Sequence, residues 1–346
     1  MADFQEGSQQ TDAVITWVDG NDQAHREKRE KAKASQSGLS SEPVKTGQDA
    51  TRFLDNKELG YCINSIRLFA PWIRKIFLVT DNQKPDFLTP ELQKTCDLEI
   101  VDHKVIFESY EWALPTFNSR TVETALWRIP GLAPRFIYFN DDFFLACKTS
   151  PGHLFTDDGV VLRGSWDKMH SYGPLRMKLN DAGTFLSKKI LGITRSMNLL
   201  LQIRSARLAG FTDRYFRTPH VPHPIRTETL KNFFEAHPRP FEENIQYQFR
   251  NTAQFSSVYL AHHLEIASDH AKLRDAADFV MLNGEMDFGF TLRRKLRLIR
   301  NQDVRFACLH GFESFSRKHR EEIRQTLGNH IDGPVSLNGS DRAGAP

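Results

Sequence analysis

FIYFNDDFF, residues 136–144, is an apolar run broken by Asn140-Asp141-Asp142 and then resumed. Aromatic and β-branched residues in so short a run predict a strand, and the polar break at its carboxyl end predicts a turn. Three other runs share this form: Ala13–Val18, Ile76–Thr80 and Leu98–Val101. They close on Asp19-Gly20-Asn21-Asp22, Asp81-Asn82 and Asp102-His103. Between them, Glu58–Ala70 places Leu59, Cys62, Ile63, Ile66 and Phe69 at helical spacing, and Ser119–Arg128 is a second helical stretch. Strands alternating with helices predict an α/β fold, a Rossmann-like, mostly parallel sheet covered on both faces. Ligands of such sheets bind beyond the carboxyl ends of the strands, where these acidic clusters fall.

Working outward, the 346 residues suffice for a full core, and the 40% hydrophobic and 26% charged fractions are those of a globular enzyme. A net charge of +3 gives no reason to expect a nucleic-acid partner. Cys62, Cys96, Cys147 and Cys308 form no CxxC pair, so four reduced thiols are expected rather than zinc or disulfides. The start of the chain lacks an apolar signal-peptide core, and no apolar run reaches membrane-spanning length. A cytoplasmic protein without a transmembrane segment is expected. It could touch the inner face of the membrane through the basic amphipathic stretch Leu292–Arg300, although packing explains that stretch equally well.

Composition divides the chain further. Residues 1–11 are expected to be disordered, and 12–162 to form the α/β part, with 23–49 as a polar, mobile insertion. Between 163 and 217, Arg and Lys number 11 against three Asp, which predicts an inserted basic helical subdomain suited to anions. Residues 218–332 are expected to complete the same domain, mainly as helices, before a disordered tail at 333–346.

Paired carboxylates at a strand end make a hard-oxygen site, so Asp141 and Asp142 are the candidate ligands for Mg²⁺ or Mn²⁺, with Asn140 beside them. A turn capped by Asp is the plainer reading of the same residues. Arg52 and Asp55 crowd a helix start, where Arg52 could grip a phosphate and Asp55 could be only a cap. Asp81 and Asn82 follow a strand and could meet a ribose or sugar hydroxyl, or merely close a turn. Asn118 and Ser119 open a helix with Glu123 one turn along, a place for an anion or an ordinary cap. His220 precedes a Pro-rich loop and could serve as a general base, and Arg250 could stabilise charge on a phosphate.

DAVITWVDGND (12–22), RFLDNKELGYCINSIRLFAPWIRKIFLVTDNQ (52–83) and LPTFNSRTVETALWRIPGLAPRFIYFNDDFF (114–144) together resemble the first two conserved regions of the Stealth proteins. TPHVPHP (218–224) and QFRNTAQFSSVYLAHH (248–263) resemble the third. The resemblance runs from about residue 12 to 310; at the fourth region FACLHGFES (306–314) departs from the family's Cys-Ile-Asn-Asp-like pattern, leaving His310 or Glu313 as the residues that could take the place of its acidic residue. The family includes bacterial capsular and exopolysaccharide phosphotransferases and the animal N-acetylglucosamine-1-phosphotransferase.

The resemblance implies transfer of a hexose-1-phosphate from a UDP-hexose or UDP-N-acetylhexosamine to a hydroxyl of a saccharide acceptor, with release of UMP. A polyanionic acceptor would suit the basic segment. Asp141 or Asp142, preferably Asp142, would hold the metal, His220 would deprotonate the acceptor or steady the leaving group, and Arg250 would balance charge. Glu123 and Asn118 would lie close to the transferred group, while Trp17, Asp19, Arg52 and Asp81 would line the nucleotide or sugar pocket. Two rivals use the same residues differently: a GT-A-type glycosyltransferase releasing UDP, and a non-catalytic module that binds polyanions.

Overall fold

The computed structural model describes residues 10–36, 58–169 and 196–336. Its central sheet has the order β3-β2-β1-β4-β9. The strands are β1 (Thr11–Thr16), β2 (Ile76–Thr80), β3 (Leu98–Asp102), β4 (Arg135–Asn140) and β9 (His223–Arg226). The first four are parallel, and β9 closes the edge antiparallel to β4. The α/β expectation therefore holds. All five positions of β2 and the first five of both β1 and β4 are buried, as in a sheet covered on both faces.

The pleat divides those side chains between two cores. Ala13, Ile15, Leu78, Ile137 and Phe139 face one, with Ile63 and Ile66. Val14, Phe77, Val79, Phe136 and Tyr138 face the other. The helices are α1 (Gln23–Gln36), α2 (Glu58–Phe69), α3 (Pro90–Thr95), α4 (His103–Ile106), α5 (Ser119–Ala125) and α6 (Ser196–Leu208). They continue with α7 (Thr227–Ala236), α8 (Pro238–Ile245), α9 (Ser257–Ala267), α10 (Gly289–Arg300) and α11 (Arg317–His330).

A second sheet, β11-β12-β5, joins β5 (Phe143–Leu145), β11 (Phe279–Asn283) and β12 (Phe306–His310). The 136–144 run is thus two strands in two sheets, and Asp141-Asp142 is the step between them. Two small pairs complete the strands. One is β6 (Val160–Arg163) with β10 (Ala271–Arg274), and the other β7 (Ser165–Lys168) with β8 (Arg214–Arg217).

Several expected boundaries shift. Thr11 is buried in β1 rather than part of a disordered terminus. Residues 23–36 form α1, while 37–49 of the expected insertion lie outside the described residues. The described parts of 163–217 include the end of β6, the antiparallel β7–β8 pair and α6 between those two strands, so that section is not purely helical, and 170–195 lie outside the description. Between His220 and Asp287, β9 precedes α7, α8 and α9, and β10 and β11 follow them, so this section is not purely helical either. Pro224 within β9 is tolerated because β9 is an edge strand. The expected tail begins too early at Gly333: Val335 is buried, and Asn64 bonds its N–H and carbonyl, each at 2.9 Å. Residues 337–346 lie outside the description. The apolar side of 292–300 packs inward through Leu292, Leu296 and Ile299. No helix among the described residues is long and apolar enough to cross a membrane.

Candidate active site

At the step from β4 to β5 the chain meets the end of β12. Antiparallel pairing sets Cys308 opposite Phe143, and the Leu309 N–H donates to the Asp142 carbonyl at 2.9 Å. The register brings two side chains onto one carboxylate oxygen. The Cys308 thiol donates to Asp142 Oδ2 at 3.4 Å, and His310 Nδ1 stands 4.0 Å from the same oxygen. Asp142 Oδ1 is buried without a hydrogen-bond partner. Burial raises the Asp142 carboxyl above its ordinary value, against the opposing pull of His310 and Cys308.

An orphaned carboxylate oxygen is costly, and a divalent cation would relieve it. The residues present therefore fit Mg²⁺ or Mn²⁺. Among the described residues no group of three or more His, Cys, Asp or Glu is placed to cage a metal ion. Such ions commonly take one or two carboxylates and fill the remaining positions with phosphate oxygens and water. Burial raises the Cys62 and Cys308 thiols well above their ordinary values, and the charges of Asp141 and Asp142 raise them further. Both sulfurs keep their protons beneath the pair.

His220 joins this corner. Its ring lies nearly parallel to that of His310, with centroids 6.3 Å apart, and 6.1 Å from Phe143. Its Nε2 is 3.2 Å from the Asn198 amide nitrogen. His223 is buried beside Tyr138, and burial with its neighbours His262 and His220 holds it well below the usual range, hence neutral. His263 is structural: Nδ1 meets the Tyr259 carbonyl and Nε2 accepts from the Phe216 N–H.

Glu123 reaches the other side of β4 from α5. Its Oε1 lies 3.4 Å from the Tyr138 hydroxyl, and its Oε2 accepts from Ser256 at 3.2 Å. Burial raises this carboxyl to about 7, with Arg120 opposing. The Tyr138 hydroxyl also lies 2.6 Å from Asn140 Oδ1 and 3.0 Å from Thr16 Oγ1. One phenol therefore links Glu123 to the ends of β1 and β4.

Asn118 is wholly engaged within the protein. Its Oδ1 caps α5 by accepting from the Arg120 N–H, and its amide donates to the Tyr247 carbonyl and Gln254 Oε1. Buried and fully bonded, it fastens the 247–254 loop instead of presenting itself to a ligand. That loop carries Arg250, whose Nη2 donates to Ser119 Oγ at 2.9 Å.

The remaining candidates sit at the ends of β1 and β2. Trp17 is buried in the core with Nε1 unpaired. The Asp19 main chain is clamped by Gln83, and its carboxylate accepts from the Asn21 N–H. Burial would raise the Asp81 carboxyl, but His25, His103 and Lys28 overcome it and bring it to about 2. Asn82 is an exposed turn residue at φ 51°. Strand spacing separates β2 from β4 by roughly 10 Å, so Asp81 and the acidic pair flank opposite ends of one strand-end site. Arg52 and Asp55 lie outside the described residues. Of the two residues that the sequence offered in place of the family's fourth-region acidic residue, His310 and Glu313, it is His310 that stands beside Asp142.

Two family models match the chain: Stealth protein CR1, conserved region 1, over residues 12–37, and Stealth protein CR2, conserved region 2, over 52–162. The receptor polysaccharide phosphotransferase WefC of Streptococcus gordonii is 32% identical over 278 residues, 74% of this chain and 78% of that protein. The exopolysaccharide phosphotransferase cps2G of Lactiplantibacillus plantarum is 28% identical over 350 residues, 94% of this chain and 96% of that one. An exopolysaccharide phosphotransferase of Streptomyces coelicolor is 32% identical over 73% of this chain, which spans only 25% of that longer protein.

Proposed function

The chain belongs to the Stealth family, and from that premise we propose that it is a metal-dependent phosphotransferase of capsular or exopolysaccharide synthesis. It moves a hexose-1-phosphate from a UDP-hexose or UDP-N-acetylhexosamine to a hydroxyl of a saccharide acceptor and releases UMP, on the cytoplasmic side of the membrane. The observation that carries this reading is the orphaned Oδ1 of Asp142 at the strand end, on a carboxyl whose Oδ2 stands 4.0 Å from His310, the stacking neighbour of His220.

Asp142, with Asp141 beside it, holds the cation. When bound, Mg²⁺ or Mn²⁺ neutralises charge on the donor diphosphate. His220 takes the proton of the acceptor hydroxyl. The acceptor oxygen bonds to the β-phosphorus as the bond from that phosphorus to the bridging oxygen breaks. The electron pair leaves with UMP, and the anomeric carbon keeps its own bond. Arg250, oriented by Ser119, balances the charge that builds on the phosphoryl oxygens. Glu123, with a carboxyl near neutrality, exchanges a proton through Tyr138 with the group bound at Asn140. Asp19, Asp81 and Asn82 border the nucleotide side, while Trp17 and Asn118 support the floor and the Arg250 loop.

Product analysis tests the reading: purified protein, a panel of UDP-sugars, Mg²⁺ and saccharide primers. UMP with a phosphodiester-linked product is expected. UDP with a glycosidic product would overturn it in favour of glycosyl transfer. Salt-sensitive binding without turnover, indifferent to Asp141→Asn and Asp142→Asn, would leave only a polyanion-binding module.

A further inference from the structure

Beyond β11 the chain exposes apolar side chains where a folded protein usually avoids them. Within five residues, Met286 is 46% exposed, Phe288 62% and Phe290 78%. A single exposed Phe needs no explanation, but three large apolar residues at one loop tip form a patch. Phe288 is also the N-cap residue of α10 and makes no side-chain capping bond. Ser, Thr, Asp or Asn there would stabilise the helix start, so the aromatic ring stands at a local cost to stability.

The helix that follows sorts its residues cleanly. Leu292, Leu296 and Ile299 are buried against the core. Phe290, Arg293, Arg294 and Arg297, at spacings of three, four and seven, share the outward face and are all exposed. The acidic groups nearby are partly neutralised. Asp287 is buried and held by Lys295 at 2.7 Å, and Glu322 meets Arg293 at 3.3 Å, while Glu285 is exposed on the loop. An apolar tip thus leads into a cationic stripe. The loop leaves β11 at Asn283, which pairs in register with His310, so the tip stands at the same end of the sheets as Asp142.

We propose that the loop 284–288 and the outward face of α10 dock on an anionic phospholipid bilayer. Met286, Phe288 and Phe290 enter the headgroup boundary, and Arg294 and Arg297 meet lipid phosphates. The inward leucines stay in the core, so the helix lies on the surface without inserting its own apolar face. Charge complementarity selects this occupant: a neutral surface gains nothing from the arginine stripe. The proposal stands without the transferase reading, and it would turn the strand-end site toward a membrane-held acceptor.

The test uses the full chain without an affinity tag, and vesicles of phosphatidylcholine alone or mixed with phosphatidylglycerol. Co-sedimentation with the mixed vesicles, weakened by salt, is expected. Phe288→Ser with Phe290→Ser should weaken it at least about tenfold, and Arg294→Glu with Arg297→Glu should do the same. Serine is a good N-cap, so the Phe288→Ser protein should melt no lower than the parent, which separates lost docking from lost folding. In Phe290→Trp, quenching by brominated lipids should report entry of the ring. No binding to mixed vesicles, or equal binding by both double variants and the parent, would overturn the proposal. So would tight binding of a soluble acceptor glycan that depends on Phe288 and Phe290 while vesicles are ignored.

Discussion

The Glu123 carboxylate lies 3.4 Å from the Tyr138 hydroxyl, and Ser256 holds its other oxygen. Burial lifts this acid from 4.5 to about 7. The folded protein therefore binds a proton there at pH values where the unfolded chain has lost it. Stability from this group is unperturbed below the unfolded value, falls as pH rises through the window from 4.5 to about 7, and stays reduced above it. Glu123→Gln removes that dependence. Its melting temperature should gain on the parent between about pH 4 and pH 8, by the equivalent of roughly 1–3 kcal/mol. Parallel melting curves across that range would refute the raised carboxyl.

Asp142 and His310 predict a graded response to metal. Asp142→Asn keeps the shape but loses the charge, and should lower kcat/KM by at least about a hundredfold. His310→Ala leaves Asp142 in place and removes its neighbour. The Mg²⁺ concentration for half-maximal rate should rise about 10–100-fold, as for groups that orient a ligand. Metal titrations of both variants check this, and an unchanged titration for His310→Ala would remove His310 from the site.

Arg250 is held by Ser119 and by the loop that Asn118 fastens. Lysine keeps the charge but not the planar fork, so Arg250→Lys should lower kcat about 10²–10³-fold. Ser119→Ala, which only frees the arginine, should cost no more than about tenfold. Equal losses would mean that Ser119 itself touches the substrate.

Asp81 ties α1 to the end of β2 through His25 and Lys28, at 3.2 and 3.1 Å. Its carboxyl is brought from 3.8 to about 2, so its contribution to stability is complete above 3.8 and disappears as pH falls toward 2. Asp81→Asn abolishes the charge at every pH. Hydrogen exchange in residues 23–36 should quicken at neutral pH and match the parent in strong acid.

The parallel strands were legible because β1, β2 and β4 are buried on both faces and read as unbroken apolar runs ending in polar residues. The later strands were not. β10 is only partly buried and β11 alternates, both are short, and β9 contains a proline that argues against a strand anywhere but an edge. At the site, Asp141 and Asp142 announced themselves as charges interrupting an apolar run. His310 entered only beside Glu313, as a replacement for a family residue, because its place next to Asp142 depends on β12 pairing antiparallel with the distant β5, Phe306 opposite Leu145. Asn118 stayed open between ligand and cap, because a helix-opening Asn looks the same whether its amide meets a ligand or a loop.

The Asn64–Val335 clasp shows how far from the site the fold is closed. The Asn64 side chain is fully buried and bonds both main-chain groups of Val335. A side chain on Gly333 would place its Cβ 2.6 Å from Asn64 Cγ, so only glycine lets the segment pass. Asn64→Ala would leave a buried N–H and carbonyl unpaired and should cost about 2–4 kcal/mol. Asn64→Asp should cost more at neutral pH, since a buried carboxylate cannot donate to the Val335 carbonyl. Truncation after Asp332 removes the partner and the Val335 contact together, and should match Asn64→Ala within about 1 kcal/mol. Denaturant midpoints of the three proteins decide the matter. If Asn64→Ala unfolds at the parent's midpoint, the segment 333–336 does not close the core.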